Sequence, residues 1–383
     1  MGCAKIMKHI SQINLDKIIE LRHILHRYPE LSLRESGTIN ILKAFLQENT
    51  TLEIIDEDGW FYLVKKPFNE PAGTLPIAFR ADMDALPMDE SISLSYGSIH
   101  NGISHKCGHD GHMAALCGLA LELDKMEVER TVYLIFQPAE EIGQGAARCA
   151  SLVAEKGIAE IYAFHNLSDY PENSVVYRRG LTQPASEGLT IRLQGRQSHA
   201  SAPEEGLNPS TAIAELALFA QHLPEEPHEG MALCTIVGMQ CGKGDFGISA
   251  GEGSVSVTLR AEQEPFMKRM EAKLLQKAEK LSVRDGLRIE HEIQDYFPET
   301  RNHGDALNRV IRKASGLQLP VIEMKTLWRA SEDFGHYLKK CSGAMFYIGN
   351  GIGYPALHTD SYDFNDRILK TAVDIFLALT ETE

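Results

Sequence analysis

Thr131-Val-Tyr-Leu-Ile-Phe136 is a continuous apolar run that ends in Gln137-Pro-Ala-Glu140-Glu141. Six residues rich in β-branched and aromatic types are too short for a buried helix. They predict a strand covered on both faces, as in a parallel sheet. Two more runs end the same way. Leu75-Pro-Ile-Ala-Phe79 leads into Arg80-Ala-Asp82-Met-Asp84, and Ile161-Tyr-Ala-Phe164 leads into His165-Asn166. Trp60–Val64 and Ala344–Ile348 add two further strands. Helical patterns fall at 14–30, 36–47, Gly108 to about Met126 and around 145–155. Strands alternating with helices predict an α/β sheet with helices on both faces. In such sheets ligands bind outside the carboxyl ends of the strands. Three separate strands here deliver acids or an imidazole to that edge.

The middle of the chain reads differently. Leu189–Leu193, Met231–Val237, Ser254–Arg260 and Arg288–Tyr296 alternate in polarity, and helical patterns at 208–222 and 264–281 separate them. The order β–α–β–β–α–β predicts a small open-faced α+β sandwich of ferredoxin-like type. The expected organisation is a catalytic α/β domain of residues 1–185 and 297–383, interrupted by an inserted domain of residues 186–296.

A length of 383 residues suits two domains, and 43% hydrophobic with 24% charged residues is a globular balance. The formal charge of −15 argues against a nucleic-acid or anionic-membrane binder, which needs a basic face. No apolar stretch approaches the length of a membrane span. Gly2 begins a weak myristoylation pattern, but Ile6 stands where Ser or Thr is needed. Seven cysteines, an odd number without regular spacing, and no signal-like N-terminus predict a reducing, cytoplasmic setting.

His105-Lys-Cys107-Gly-His109-Asp110-Gly-His112 gathers thiolate, imidazole and carboxylate donors, which suit a borderline-soft divalent metal. Read alone, the segment is equally a helix entry with solvent histidines and a buried cysteine. The Glu140–Glu141 pair can supply one metal ligand and one general base, or be an exposed loop pair. His165 alone is equally a packed histidine or a ligand, and His358, in a loop, is unremarkable singly. Together Cys107, His109, Glu141, His165 and His358 are five donors for one or two metals.

These segments, with Leu25-His-Arg-Tyr-Pro-Glu-Leu-Ser32, Gln197-Ser-His-Ala200, Ser331-Glu-Asp-Phe334 and Leu357-His-Thr-Asp-Ser-Tyr-Asp-Phe364, resemble the metal-dependent amidohydrolase/aminoacylase family of the dinuclear-zinc carboxypeptidase superfamily. The nearest branch holds hippurate hydrolase, N-acetyl-diaminopimelate deacetylase and indole-acetyl-amino-acid hydrolase. The resemblance runs in order over nearly the whole chain. It implies hydrolysis of the amide bond of N-acyl amino acids, with Glu140 as general base and one or two divalent ions (Zn, Mn, Co or Ni) on the five donors. Asp82 and Asp84 would occupy the family's active-site acidic positions. The insert would be a lid and dimerisation domain, making a homodimer or higher homo-oligomer. In it His199 would steady the oxyanion or the substrate carboxylate, and Arg260 could pair with a carboxylate. Where the branch has a substrate-contacting Asn in the lid, this chain has Gly247, which puts the substrate range in question. A dipeptidase or carbamoyl-amide hydrolase on the same centre, or a non-catalytic binding protein retaining the fold, are the alternatives.

Overall fold

The computed structural model describes residues 8–69 and 73–382. The Gly2 reading and Cys3 lie outside the described residues. The chain divides into two compact units: residues 1–182, 300–327 and 332–383, and residues 183–299 with 328–331.

In chain order the strands are β1 (Glu53–Glu57), β2 (Trp60–Lys65), β3 (Ile77–Asp82), β4 (Val132–Gln137), β5 (Glu160–Leu167), β6 (Val175–Tyr177) and β7 (Leu181–Gln183). They continue as β8 (Ala185–Gln194), β9 (Ala232–Cys241), β10 (Glu252–Ala261), β11 (Arg288–Phe297), β12 (Thr300–Arg301), β13 (Val321–Glu323) and β14 (Ser342–Gly349). The first unit is built on an eight-stranded sheet of order β1-β2-β4-β3-β5-β14-β6-β13. Its centre is parallel: β3 pairs with β4 and β5, and β5 with β14. Every residue of β3 and β4 is buried, so both faces are covered, as the unbroken apolar runs require. The edge strand β1 carries Glu53, Asp56 and Glu57, charges that discourage a further strand from adding there.

The parallel centre brings the carboxyl ends of β3, β4, β5 and β14 to one edge. Over it packs the helix His109–Asp124, buried along nearly its whole length because its residues are small and apolar. Gly108 caps it at φ 99°, where a Cβ would stand 2.4 Å from the Asn166 side chain. Only glycine allows that turn and that approach. The helical pattern around 145–155 forms two short helices, Gly145–Cys149 and Ser151–Glu155, divided at Ala150.

The second unit is a four-stranded antiparallel sheet of order β11-β8-β10-β9. Helices Ser210–His222 and Glu264–Asp285 cover one face, burying Leu189, Ile191, Leu193, Val255, Val257 and Leu259 beneath Ile213, Leu216, Met267 and Met270. The other face is more exposed: it carries Thr190, Arg192, Ser254 and Thr258 and, on β9, exposed Val237 and Met239, which explains the alternation in burial. Trp328–Ser331 belongs to this unit although it lies far along the chain: Ser331 Oγ sits 2.7 Å from Ser186 Oγ.

The helix His109–Asp124 meets the buried Phe364 ring at Gly111, where a Cβ would lie 2.2 Å from ring carbons. Gly111→Ala should therefore destabilise the fold by ~1–3 kcal/mol through overpacking. Chemical denaturation checks this, and an unchanged midpoint would refute the close contact.

Candidate metal centre

The edge of the parallel sheet gathers donors from four segments. Cys107 and His109 come from the turn into the buried helix, Glu141 from the loop after β4, His165 from the end of β5, and His358 from the loop after β14. Cys107 Sγ lies 3.4 Å from His165 Nε2 and 3.3 Å from His358 Nε2. Glu141 Oε1 lies 3.7 Å from His109 Nε2 and 3.8 Å from His358 Nε2. These groups fall into sets whose donor atoms all lie within 4.8 Å of one another. Cys107 belongs both to a set with His109 and His165 and to a set with Glu141 and His358.

The local backbone orients the imidazoles. A carbonyl oxygen can only accept, so His109 Nδ1 donates to the Asp84 carbonyl at 2.8 Å and His165 Nδ1 donates to the Asn166 carbonyl at 2.8 Å. In each ring the second nitrogen, Nε2, faces the cluster. Such outer hydrogen bonds fix a metal-binding tautomer. His358, at φ 58°, is held by its amide, which donates to the Lys106 carbonyl at 2.8 Å.

The acids need a positive partner. Asp82, Asp84, Glu140, Glu332 and Asp333 are buried and Glu141 nearly so, around one buried guanidinium, Arg80. Arg80 donates to Asp82 Oδ2 at 2.6 Å, Glu332 Oε1 at 3.1 Å, Asp333 Oδ1 at 2.9 Å and Gln137 Oε1 at 2.8 Å. One cation is too few. Burial, then Glu332, Glu141 and Asp333, push the Glu140 carboxyl well above the usual carboxylate range. Burial raises Glu141 to about 7, with Asp84 adding to the rise and His109 opposing it. Burial also drives the Cys107 thiol up, with Glu141 and Glu140 adding to it. His109 is raised to about 10: burial acts against its charge, but Asp82, Asp84 and Glu141 outweigh it. His109 Nε2 and Glu141 Oε1, both buried, have no hydrogen-bond partner among the described residues. Thiolate, imidazole and carboxylate donors around two orphaned atoms fit divalent cations, which would replace the protons that the metal-free chain holds.

Asp84 does more than its position in the sequence suggests. Its Oδ2 accepts from Ser32 Oγ at 2.6 Å and from the Glu141 amide at 2.9 Å. Asp82 binds Arg80 and, through Oδ1, His112 Nδ1 at 2.6 Å; its other oxygen is 3.7 Å from His109 Nε2. Glu140 Oε2 stands 3.9 Å from His109 Nε2. All eight of these expected residues come together in the first unit.

His199 and Arg260 belong to the second unit. His199 Nδ1 lies 3.1 Å from the Ser201 amide and 2.7 Å from its hydroxyl, so the proton of the neutral ring sits on Nε2. The Gly247 carbonyl accepts from the Ala200 amide at 3.0 Å, and Ile248 pairs with His199. Arg260 bonds to the Arg329 carbonyl and, at 3.2 Å, to Ser331 Oγ. Reading the sequence missed the roles of Glu332, Asp333 and Arg80. An arginine inside a buried strand was the available signal, because such a charge demands buried partners.

A family model for the peptidase family M20/M25/M40 matches residues 78–382. N-acetylcysteine deacetylase of Bacillus subtilis is 27% identical over 371 residues, covering 95% of this chain and 96% of the relative. Hippurate hydrolase of Campylobacter jejuni is 28% identical over 375 residues, covering 94% of each. A Bacillus subtilis crystal structure described as a dinuclear metal binding peptidase from the M20 family superposes with a TM-score of 0.80 at 25% identity, covering 97% of this chain and 98% of that one.

Because burial and the neighbouring acids favour the protonated forms of His109 and Cys107 in the metal-free chain, metal binding should release protons, and affinity should rise with pH through about 10, the value for His109. Titration calorimetry of Zn at pH 7 in buffers of different ionisation enthalpy reads this directly, and a heat independent of buffer would refute it. Cys107→Ser, a poorer ligand, should retain less metal after dialysis; unchanged metal content would remove Cys107 from the centre.

Proposed function

Because the chain belongs to the peptidase family M20/M25/M40, we propose that it hydrolyses the amide bond of N-acyl amino acids at the Cys107–His109–Glu141–His165–His358 centre, with Glu140 as general base. The observation that carries this reading is the convergence of five donors and a separate buried carboxyl, Glu140, on one sheet edge. The relatives that act on N-acyl amino acids support the substrate class.

When bound, divalent ions supply a Lewis acid that polarises the scissile carbonyl and lowers the pKa of water toward ~7. The chain's own residues do the rest. Glu140 takes a proton from the attacking water on a carboxylate oxygen and returns it to the leaving nitrogen. A group that takes and then returns a proton works best when its pKa is near the working pH. Burial and the neighbouring acids lift Glu140 well above the usual carboxylate range, while Arg80 opposes them. Asp84 holds the Glu141 amide and, through its carbonyl, the His109 ring, so both are aimed before substrate arrives. Asp82 fixes His112 and Arg80 behind them.

In the second unit, the lid of this reading, His199 Nε2–H is a donor for the developing oxyanion or the substrate carboxylate. Arg260 is a cation that can pair with a carboxylate. Gly247 offers no side chain, so contact there falls to its main chain or to Ser249. The second unit is also the proposed surface for a homodimer or higher homo-oligomer: β9 is an edge strand exposing Val237 and Met239. The proposed setting is the reducing cytoplasm, where the Cys107 thiolate is not lost to oxidation. No described helix is long and apolar enough to cross a membrane.

Glu140→Ala should lower turnover by roughly 10²–10⁴-fold while bound metal stays near the unsubstituted amount. The test is a panel of acetyl-, benzoyl- and indole-acetyl-amino acids with Zn, Mn, Co or Ni. No turnover with any combination overturns the reading, and normal turnover in the variant overturns the role of Glu140. His199→Ala should reduce kcat by about 10²–10³-fold without loss of metal. An ordinary rate would return His199 to a surface loop.

A further inference from the structure

The loop that carries Glu140 is held in an unusual conformation. Ala139, just before it, has φ of 50° and is fully buried. In this left-handed region a residue bearing a Cβ is disfavoured, so the surroundings must hold it there. The Ala139 carbonyl accepts from the Gln144 and Gly145 amides at 3.1 and 3.0 Å. Gly145 packs so closely that a Cβ would lie 1.6 Å from the Pro138 carbonyl. The Ala139 amide donates to Glu35 Oε1 at 2.8 Å. Glu35 is buried at the start of the helix Ser36–Asn49, 104 residues away in sequence. The loop's other carboxylate clamp, Asp84 on the Glu141 amide, also serves His109. Glu35 is not a member of the proposed ligand set, and the mechanism above gives it no task.

We propose that Glu35 is a positioning residue for the general base: by accepting the Ala139 amide it keeps that residue left-handed and so aims the Glu140 carboxyl. Without the acceptor, a buried N–H is left unpaired, and Ala139 is free to relax to negative φ. That relaxation rotates the peptide joining Ala139 to Glu140 and swings the carboxyl off its line. The inference rests on Glu140 acting as the base.

The test uses full-length, metal-loaded protein. Glu35→Ala should lower kcat by roughly tenfold to a hundredfold, with KM and bound metal near the unsubstituted values. Glu35→Gln keeps an oxygen at the same place and should stay within about threefold of the unsubstituted kcat. Adding Ala139→Gly to Glu35→Ala should recover part of the loss, because glycine adopts positive φ without strain. An independent reading is amide hydrogen exchange at Ala139 in the metal-free chain. It should quicken by roughly fivefold or more in Glu35→Ala and stay unchanged in Glu35→Gln. Should Glu35→Ala fail to fold, Glu35→Leu fills the space without an oxygen acceptor and takes its place.

Normal kcat in Glu35→Ala, equal losses in the Ala and Gln variants, or Ala139 exchange that does not change overturns the proposal. Failure of the general-base reading looks different. It shows as turnover surviving in Glu140→Ala, whereas the exchange at Ala139 does not depend on that role.

Discussion

The buried guanidinium of Arg80 is the interaction on which the acidic edge of the sheet depends. It lies on β3 and reaches Asp82 on its own strand, Gln137 at the end of β4, and Glu332 and Asp333 from a distant loop. Asp333 in turn accepts from Gln137 Nε2 at 2.9 Å and the Ala146 amide at 2.8 Å. Removing one member of such a set leaves an uncompensated buried charge, at a cost of about 3–5 kcal/mol. Arg80 therefore does two things at once. It joins three segments behind the centre, and it offsets part of the negative charge that the centre concentrates. The part it leaves is what makes the site a cation site.

A second buried network does for the opposite side what Arg80 does below. Arg22 pairs with Asp110 at 3.2 Å and with Asp363. His26 bridges Asp110 and Glu90, each at 2.8 Å, and Lys106 donates to Glu90 at 2.6 Å and to the Tyr362 carbonyl at 2.7 Å. These contacts tie the helix Gln12–Arg27 and the start of the helix His109–Asp124 to the loop carrying His358. Lys106 holds that loop twice, by its side chain and by its carbonyl on the His358 amide. The proposed ligands Cys107 and His358, far apart in sequence, thus share one buried support. His26 is raised to about 9: burial opposes its charge, but Asp110 and Glu90 outweigh it. Glu90 is lowered to about 2, His26 and Lys106 outweighing burial.

What the sequence made legible follows from these constraints. Strands β3, β4, β5 and β14 are buried on both faces, so their apolar runs are unbroken and easy to see. Asp82, Glu140, Glu141 and His165 lie at or just past their ends, and Cys107 and His109 cluster with other donors at a helix start, so all of these stand out. The order of strands was not legible, because it is decided by long-range pairing that leaves no local pattern. β1, β6, β7, β12 and β13 do not stand out, because β6, β7, β12 and β13 are only two or three residues long and β1 is a charged edge strand. Glu35, Glu90 and Lys106 were passed over for another reason. A buried charge is written with the same letter as a solvated one, and only its partner reveals the difference. Arg80 was the exception in principle, since its strand context already required burial.

The two units therefore carry two kinds of constraint, and these divide the chemistry. Around the proposed metal donors nearly every polar atom is buried, and changing one residue strands another. Cys107, His109 and Glu141 cannot drift without unsatisfied charge appearing nearby. In the second unit His199 and Gly247 are held by exposed contacts: main-chain pairs, Ser201 on the His199 ring and Asp245 on the Gly247 amide. Substitutions there cost little stability, because solvent replaces whatever contact is lost. A change at His199 or Gly247 can thus be absorbed without disturbing the buried charges of the first unit. By this argument the buried edge of the first unit and the open loops of the second can vary independently of one another.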